Sequence, residues 1–208
     1  MTESGLCITG YCEISNGCLL LNGKKVISSE VNTLEETLSA IVSSLNVVHP
    51  RFGKMDRLAQ LGYTCVEVLL QGKESIRQYN PEDICLMMSN SSSSLDTDYR
   101  YNSTLEAIPS PALFVYTLPN VVLAEICIKN GFKGENLFFI SNTYDTNFMF
   151  NQINTLFENG RAKACITGWI DVLENSYRGV VFLVENKTEQ NKNSINFSID
   201  NISAIFNK

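Results

Sequence analysis

The first part of the chain alternates apolar and polar positions. Residues 6–28 alternate around Asn16-Gly17 and Asn22-Gly23, and both of these dipeptides favour hairpin turns. The alternation therefore predicts a run of short antiparallel strands. The predicted strands cover about 6–14, 17–21 and 24–28.

The apolar spacing then changes to that of helices. In 34–45, five apolar residues recur on one helical face, which predicts a short helix. Residues 55–71 carry a wider apolar stripe, and this width indicates a buried helix rather than a surface helix.

Buried strands and helices alternate in the rest of the chain, which predicts an α/β layered fold. The predicted elements are a strand at 84–90, a helix at 118–131, a strand at 137–141, a helix at 146–159, and strands at 164–173 and 179–186. The serine- and aspartate-rich segment 90–102 is predicted to be a flexible loop, with an interaction role as the alternative. The asparagine-rich tail that follows is either one further strand or a loosely held end.

The net charge of the chain limits the classes of partner that it can bind. The chain has 208 residues, a one-domain length, and a net charge of −6. An acidic protein lacks the basic face that binding of nucleic acid or an anionic membrane needs, so we expect neither partner. No apolar run approaches the roughly 20 residues of a spanning helix, and no targeting segment is visible, so we expect no membrane insertion and a cytoplasmic location.

The cysteines do not indicate a metal or disulfide framework. There are seven, an odd number, mostly inside apolar segments, and His49 is the sole histidine. The simplest interpretation is reduced, buried thiols in a cytosolic protein, without a zinc site.

Three segments resemble the N-terminal half of the β-ketoacyl-ACP synthases, where ACP is acyl carrier protein. They are KMDRLAQLGY, SPALFVYTLPNVVLAEICIKNGFKGEN and FENGRAKACITGW. The positions that match the family pattern in order are Ser110, Pro111, Phe114, Thr117, Asn120, Gly131, Gly134, Gly160, Ala162 and Gly168. The resemblance implies a thiolase fold, of which only the N-terminal half is present, as a mixed sheet packed with helices. It covers about 5–186, so we expect a synthase-like domain over 1–186 and a separate tail over 187–208.

The resemblance also locates the position of the nucleophile. In the family, the reactive cysteine lies nine residues after one motif glycine and seventeen before another. Counting forward from Gly134 and back from Gly160 gives Thr143 both times. A threonine hydroxyl needs a base, and the family takes its catalytic histidines from a C-terminal half that has no counterpart here. We therefore expect no catalytic residue for condensation in this chain.

Such a protein is similar to chain-length factors, the family members that lack the cysteine and pair with an active synthase. The sequences of these motifs are most similar to those in ketosynthase-like proteins of aryl polyene and flexirubin-type pigment biosynthesis. The resemblance implies a full-length β-ketoacyl-ACP synthase as heterodimer partner, an indirect role for acyl carrier protein, and no cofactor. In this interpretation the apolar faces of 55–71 and 146–159 are left open for a partner. The expected dimer interface is Leu137, Phe138, Phe139, Ile140, Ser141 and Asn142.

A second set of residues is expected to line the tunnel for the growing acyl chain. Its members are Phe114, Tyr116, Thr117, Leu118, Thr143, Tyr144, Phe148 and Met149. Plain core packing is the alternative for each aromatic member, because pockets and cores share this composition.

Two other functions remain open from the sequence. One is a hydrolase of acyl thioesters that uses Ser141 or Thr143 with Asp145, although Asp145 is equally placed to cap the following helix. The other is a stand-alone acyl-binding module. Its carrier docking patch would be Arg51, Lys54 and Arg57, which could equally be a solvated surface.

Overall fold

The fold is built on one mixed sheet, which the computed structural model describes over residues 5–28, 32–106 and 108–207. The strands are β1 (Leu6–Ser15), β2 (Cys18–Leu21), β3 (Lys24–Ser28), β4 (Ile84–Asn90), β5 (Asn136–Ile140), β6 (Ala164–Leu173), β7 (Ser176–Asn186) and β8 (Ile195–Asn196). The helices are α1 (Leu34–Leu45), α2 (Arg57–Leu70), α3 (Leu95–Thr104), α4 (Pro111–Val115), α5 (Val121–Asn130), α6 (Thr146–Glu158) and α7 (Ile199–Phe206).

The strand order is β3-β2-β1-β7-β6-β4-β5, with β8 paired to β1. β4 runs parallel to its neighbours β5 and β6, whereas β1, β2, β3, β6 and β7 pair antiparallel. The predicted α/β mixed sheet is confirmed. Two strands, β3 and β5, stand at the ends of this order, and β5 leads directly into the turn that carries Thr143.

One face of the sheet is covered by α2, which packs between the sheet, α1 and α5. Gly62 allows this close approach, because a Cβ there would lie 2.5 Å from Val122 Cγ2 and 2.7 Å from Ile170 Cδ1. The stripe of α2 is buried within the chain, including Leu61 and Leu69. The interpretation of this stripe as a face left open for a partner is therefore wrong.

The other face is covered by α6 and by the C-terminal helix α7. Met149 and Ile153 of α6 pack in one cluster with Ile202 and Ile205 of α7 and with the sheet residue Trp169. The tail is therefore neither a single strand nor a loosely held end. It forms the two-residue β8 and then a helix capped by Ser198, whose hydroxyl accepts a hydrogen bond from Asn201 N at 3.2 Å.

The serine-rich segment is ordered, so its prediction as a flexible loop is wrong. Ser92 N donates to Asp171 Oδ1 at 3.0 Å, which ties the segment to β6. Helix α3 follows, and its Asp96 accepts from Arg57 Nη1 at 2.8 Å. These contacts stabilise a helix whose own sequence is too polar to show an apolar face.

The prediction that most of the cysteines are buried is confirmed. All seven are free, and five are buried while Cys18 and Cys127 are half-buried. Within the described ranges, no group of three His, Cys, Asp or Glu side chains is close enough to hold a metal ion. None of the described helices is long and apolar enough to cross a membrane.

Candidate functional site

The turn between β5 and α6 is held by a small set of hydrogen bonds. Ser141 N donates to Asn90 O at 2.9 Å, which fixes the turn to the end of β4. Ser141 Oγ donates to Thr143 O at 2.7 Å. Asp145 caps α6, since its Oδ1 accepts from Phe148 N at 2.9 Å. The acid that a hydrolase would need as a base is therefore used as a helix cap.

Thr143 lies exposed on this turn. Among the described residues, no hydrogen bond joins its hydroxyl to a basic side chain. His49 belongs to a different network, where its Nε2 is 3.8 Å from Glu125 Oε2 and its ring stands edge-on to Tyr63 at 4.9 Å. The imidazole is nearly buried, and His49 lies in the loop between α1 and α2.

Three of the expected tunnel residues are packed inside the chain. Tyr144 is buried, with its hydroxyl 3.3 Å from Thr167 Oγ1, and burial raises its pKa. Met149 is buried in the core beside α7. Tyr116 is buried and donates to Glu125 Oε1 at 2.8 Å. Their positions fit the core-packing alternative.

The other tunnel residues lie nearer the surface. Phe114 and Leu118 are both 59% exposed. Thr117 is half-buried and donates its hydroxyl to Phe114 O at 2.8 Å, which closes the end of α4. Phe148 is 38% exposed and meets Phe139 edge-on at 4.9 Å. The structure thus separates the eight residues into an interior group and an exposed group.

The exposed apolar side chains concentrate in one part of the chain. Nine of the thirteen large exposed ones among the described residues lie between 105 and 148. Helices α4 and α5 share a cleft of about 380 Å³, and α5 also packs beside β5. We call α4, the connection 116–120, α5 and β5 together the apolar surface. It contains Phe114, Val115, Leu118, Ile128, Leu137 and Ile140.

The two end strands of the sheet differ in their chemistry. β3 exposes Lys24 and Lys25, and charged side chains of this kind block edge-to-edge pairing. β5 reads Asn-Leu-Phe-Phe-Ile and carries no charge, with Leu137 39% and Ile140 52% exposed. On its outer side, no strand of the described residues pairs with β5.

The basic residues do not form a joint patch. Arg57 is paired with Asp96 and with Glu35, each at 2.8 Å. Arg51 Nη2 binds both oxygens of the buried Glu125 carboxylate, at 3.1 and 3.0 Å. Two of the three cations are therefore matched by carboxylates, which leaves Lys54 as the more available charge.

No family model matches the chain. Nor does any curated protein. Solved structures do match. The ishigamide ketosynthase/chain length factor has a TM-score of 0.63 and 16% identity, over 86% of this chain and 62% of that one.

The ketosynthase fold is shown. A ketosynthase in complex with its chain length factor from Xenorhabdus doucetiae gives a TM-score of 0.55 at 12% identity, over 88% of this chain and 80% of that one. A type II polyketide synthase acyl carrier protein in complex with its ketosynthase bound to the hexaketide gives 0.64 at 12% identity, over 91% and 65%. This confirms the resemblance to ketosynthases and chain length factors at the level of fold. The chain spans less than two thirds of the first of these proteins.

Proposed function

We propose that the chain is a non-catalytic subunit of the chain-length-factor type, which pairs with a full-length β-ketoacyl-ACP synthase. The partner performs the condensation, and this chain stabilises it and shapes the tunnel for the growing acyl chain. The observation that carries the proposal is the uncharged, unpaired edge of β5, which runs directly into a turn without a base.

The edge supports pairing on physical grounds. A strand at the end of a sheet presents unpaired backbone N–H and C=O groups, and soluble proteins protect such edges with charge or cover them. The lysines of β3 protect the other end of the sheet. β5 has no charged residue, so a covering strand from a partner is the simpler explanation. In this proposal the interface runs from Leu137 to Asn142 and extends over the neighbouring apolar surface.

The thiols and the turn support a non-catalytic role. Condensation requires a thiolate nucleophile, and the thiolate forms readily only where the thiol pKa is lowered. Burial raises the pKa of Cys165 and that of Cys85. Burial also raises the pKa of the half-buried Cys127 to about 11. Thr143 occupies the nucleophile position without a base beside it.

The tunnel assignment becomes more specific in this proposal. Phe114, Thr117, Leu118 and Phe148 are exposed or half-exposed, so a partner that covers this side can use them as a tunnel wall. Tyr116, Tyr144 and Met149 would act from beneath by supporting that wall. We further propose a cytoplasmic pathway of the aryl polyene or flexirubin type, with acyl carrier protein docked on the partner.

Condensation assays on reconstituted proteins test the function. We expect a full-length β-ketoacyl-ACP synthase to be encoded beside this chain. The two proteins are purified singly and as a co-expressed pair, and each sample receives acyl and malonyl carrier protein substrates. The proposal expects elongation by the pair, none by this chain, and little or none by the synthase alone. Full activity of the synthase alone, with unchanged product length when this chain is added, would refute the proposal.

A further inference from the structure

A small cavity lies between β4, β5 and the start of α6. Its volume is about 210 Å³, and its walls include Phe139, Ile140, Phe148 and Met149. Ser89 of β4 also lines it, as do Ser141 and Asp145, whose side chains are already hydrogen-bonded to Thr143 O and Phe148 N. Phe139 and Phe148 meet edge-on at 4.9 Å, so the cavity has aromatic walls on both the strand and the helix side.

Ser89 is the unusual member of this set. The residue is 1% exposed, and its Oγ has no hydrogen-bond partner within the described part of the chain. Buried hydroxyls are nearly always hydrogen-bonded, because an unsatisfied one retains the full cost of its lost hydration. An unpaired hydroxyl beside a cavity with aromatic walls therefore fits an occupant that combines a ring with a polar atom.

The cavity is next to the free edge of the sheet. Ile140 is 52% and Phe148 38% exposed, so its walls reach the surface at the outer side of β5. In β-strand addition, backbone bonds attach the new strand while pockets beside the edge receive its alternate side chains. A strand that pairs with β5 can reach this cavity in that way.

We propose that the cavity is a socket for one hydroxyl-bearing aromatic side chain, presented by the partner strand that pairs with β5. The inference rests on the proposed function and names the chemistry of the partner at one position. A cavity of about 150 Å³ lined by apolar side chains is known to hold benzene, so a ring fits the space here. The ring packs on Phe139 and Phe148, and its hydroxyl hydrogen-bonds Ser89 Oγ.

The socket can be tested on the lone chain with p-cresol, which has the structure of a tyrosine side chain, and with toluene, which lacks the hydroxyl. Titrations are followed by NMR for the wild type, Ser89→Ala and Ser89→Met. The wild type is expected to bind p-cresol about five- to tenfold more tightly than toluene. Ser89→Ala removes that preference, and Ser89→Met fills the space and abolishes both. Binding of neither ligand, or no preference in the wild type, overturns the proposal.

Pairing with the co-expressed synthase gives an independent test. Ser89→Ala is expected to leave the melting temperature of the lone chain unchanged or higher, because it removes an unsatisfied group. The same change weakens the complex about fivefold or more, because the partner hydroxyl loses its bond. Ser203→Ala, which removes a hydroxyl from α7, outside the cavity, is the matched control and leaves the affinity unchanged.

These outcomes separate the two proposals. If the wild-type chain fails to pair, the proposed function fails, whatever the small ligands do. If the wild type pairs and Ser89→Ala pairs equally well or better, the socket alone is overturned.

Discussion

The ring of Tyr144 stacks on that of Phe206, with centroids 5.1 Å apart and an interplanar angle of 27°. This contact joins the turn after β5 to the last helix of the chain. Arg178 reinforces it, since its guanidinium lies 4.5 Å from the centre of the Phe206 ring and donates to Phe206 O. Helix α7 therefore closes the second face of the sheet with the chain's own residues, while the apolar surface stays open.

The first prediction concerns this closure. Phe206→Ala is expected to lower the free energy of unfolding by roughly 2 kcal/mol, below the 3–5 typical of a fully buried phenylalanine because this ring is only half-buried. The ring centroid of Trp169, the single tryptophan, lies 6.1 Å from that of Phe206. Tryptophan fluorescence during urea unfolding therefore measures the loss of stability.

The control for this change is Phe114→Ala, which removes the same side chain from an exposed site. Its effect on stability should stay within about 0.5 kcal/mol. If Phe206→Ala has an effect equally small, α7 does not stabilise the second face as described.

The second prediction concerns the edge of β5. Ile140→Lys places a charge on a half-exposed edge position, so it should disrupt pairing with the synthase by at least tenfold in Kd, since desolvating an unpaired ammonium is costly. The lone chain should remain folded with nearly unchanged stability. Analytical ultracentrifugation of the mixture measures the affinity.

Val26→Lys provides the comparison on the opposite edge. Val26 is 43% exposed on β3, similar to Ile140, and already has lysine neighbours. This variant should pair like the wild type. Equal loss of pairing in both variants would mean that the interface is not specific to β5.

The third prediction concerns Thr143. Thr143→Ala should leave the rate of condensation by the pair within about twofold, because the hydroxyl has no base and takes no part in the chemistry. Thr143→Cys should likewise give no condensation by the chain alone, since a thiol on an exposed turn without a histidine lacks the required activation. A rate loss of about a hundredfold in Thr143→Ala would assign the threonine a catalytic role.

The fourth prediction concerns alkaline pH. Burial raises the pKa of Tyr144 and raises that of Tyr79 to about 12, so the folded chain keeps protons that the unfolded chain loses near pH 10. Their contribution is therefore complete below about pH 10 and is lost as the pH rises toward the folded-state values. Urea midpoints should therefore be similar at pH 8 and pH 10 and lower at pH 11.

Tyr79→Phe tests that origin. The Tyr79 hydroxyl donates to Glu185 Oε1 at 3.0 Å, so removing the hydroxyl lowers the stability of the fold at neutral pH. The decrease in the urea midpoint between pH 10 and pH 11 should nevertheless be smaller in Tyr79→Phe than in the wild type. An unchanged slope would show that Tyr79 does not contribute to the alkaline loss.

Sequence periodicity predicts the regular elements well because their apolar faces are wide. The strand 84–90 and the helix at 34–45 match the structure residue for residue, since long-range packing and local pattern agree there. Helix α3 could not be found from its sequence, because its polar residues become helical through contacts with Arg57 and β6 that are distant along the chain.

Two other helices had signals that periodicity alone overlooks. Ser110-Pro111 is a cap followed by proline at the first helical position, which marks the start of α4. In the tail, Ser198 is the N-cap of α7, and Ile199, Ile202 and Ile205 recur at helical spacing. The tail's high asparagine content hides this short amphipathic pattern.

The turn that carries Thr143 could be predicted from the sequence, but the contacts of the neighbouring side chains could not. The predicted strand 137–141 and helix 146–159 leave Thr143 between them, and the structure has it on the turn between β5 and α6. Its assignment to the nucleophile position stays a prediction. Burial of Tyr144 and exposure of Phe114 depend on tertiary packing, so a single sequence cannot separate core from surface among such aromatics.

The mass of the complex in solution tests the central claim most directly. The chain and the full-length β-ketoacyl-ACP synthase that we expect to be encoded beside it are mixed and measured by light scattering after size-exclusion chromatography. The proposal predicts a one-to-one complex that Ile140→Lys disrupts and Val26→Lys does not. Two separate peaks at the masses of the individual proteins, at concentrations well above micromolar, would contradict it.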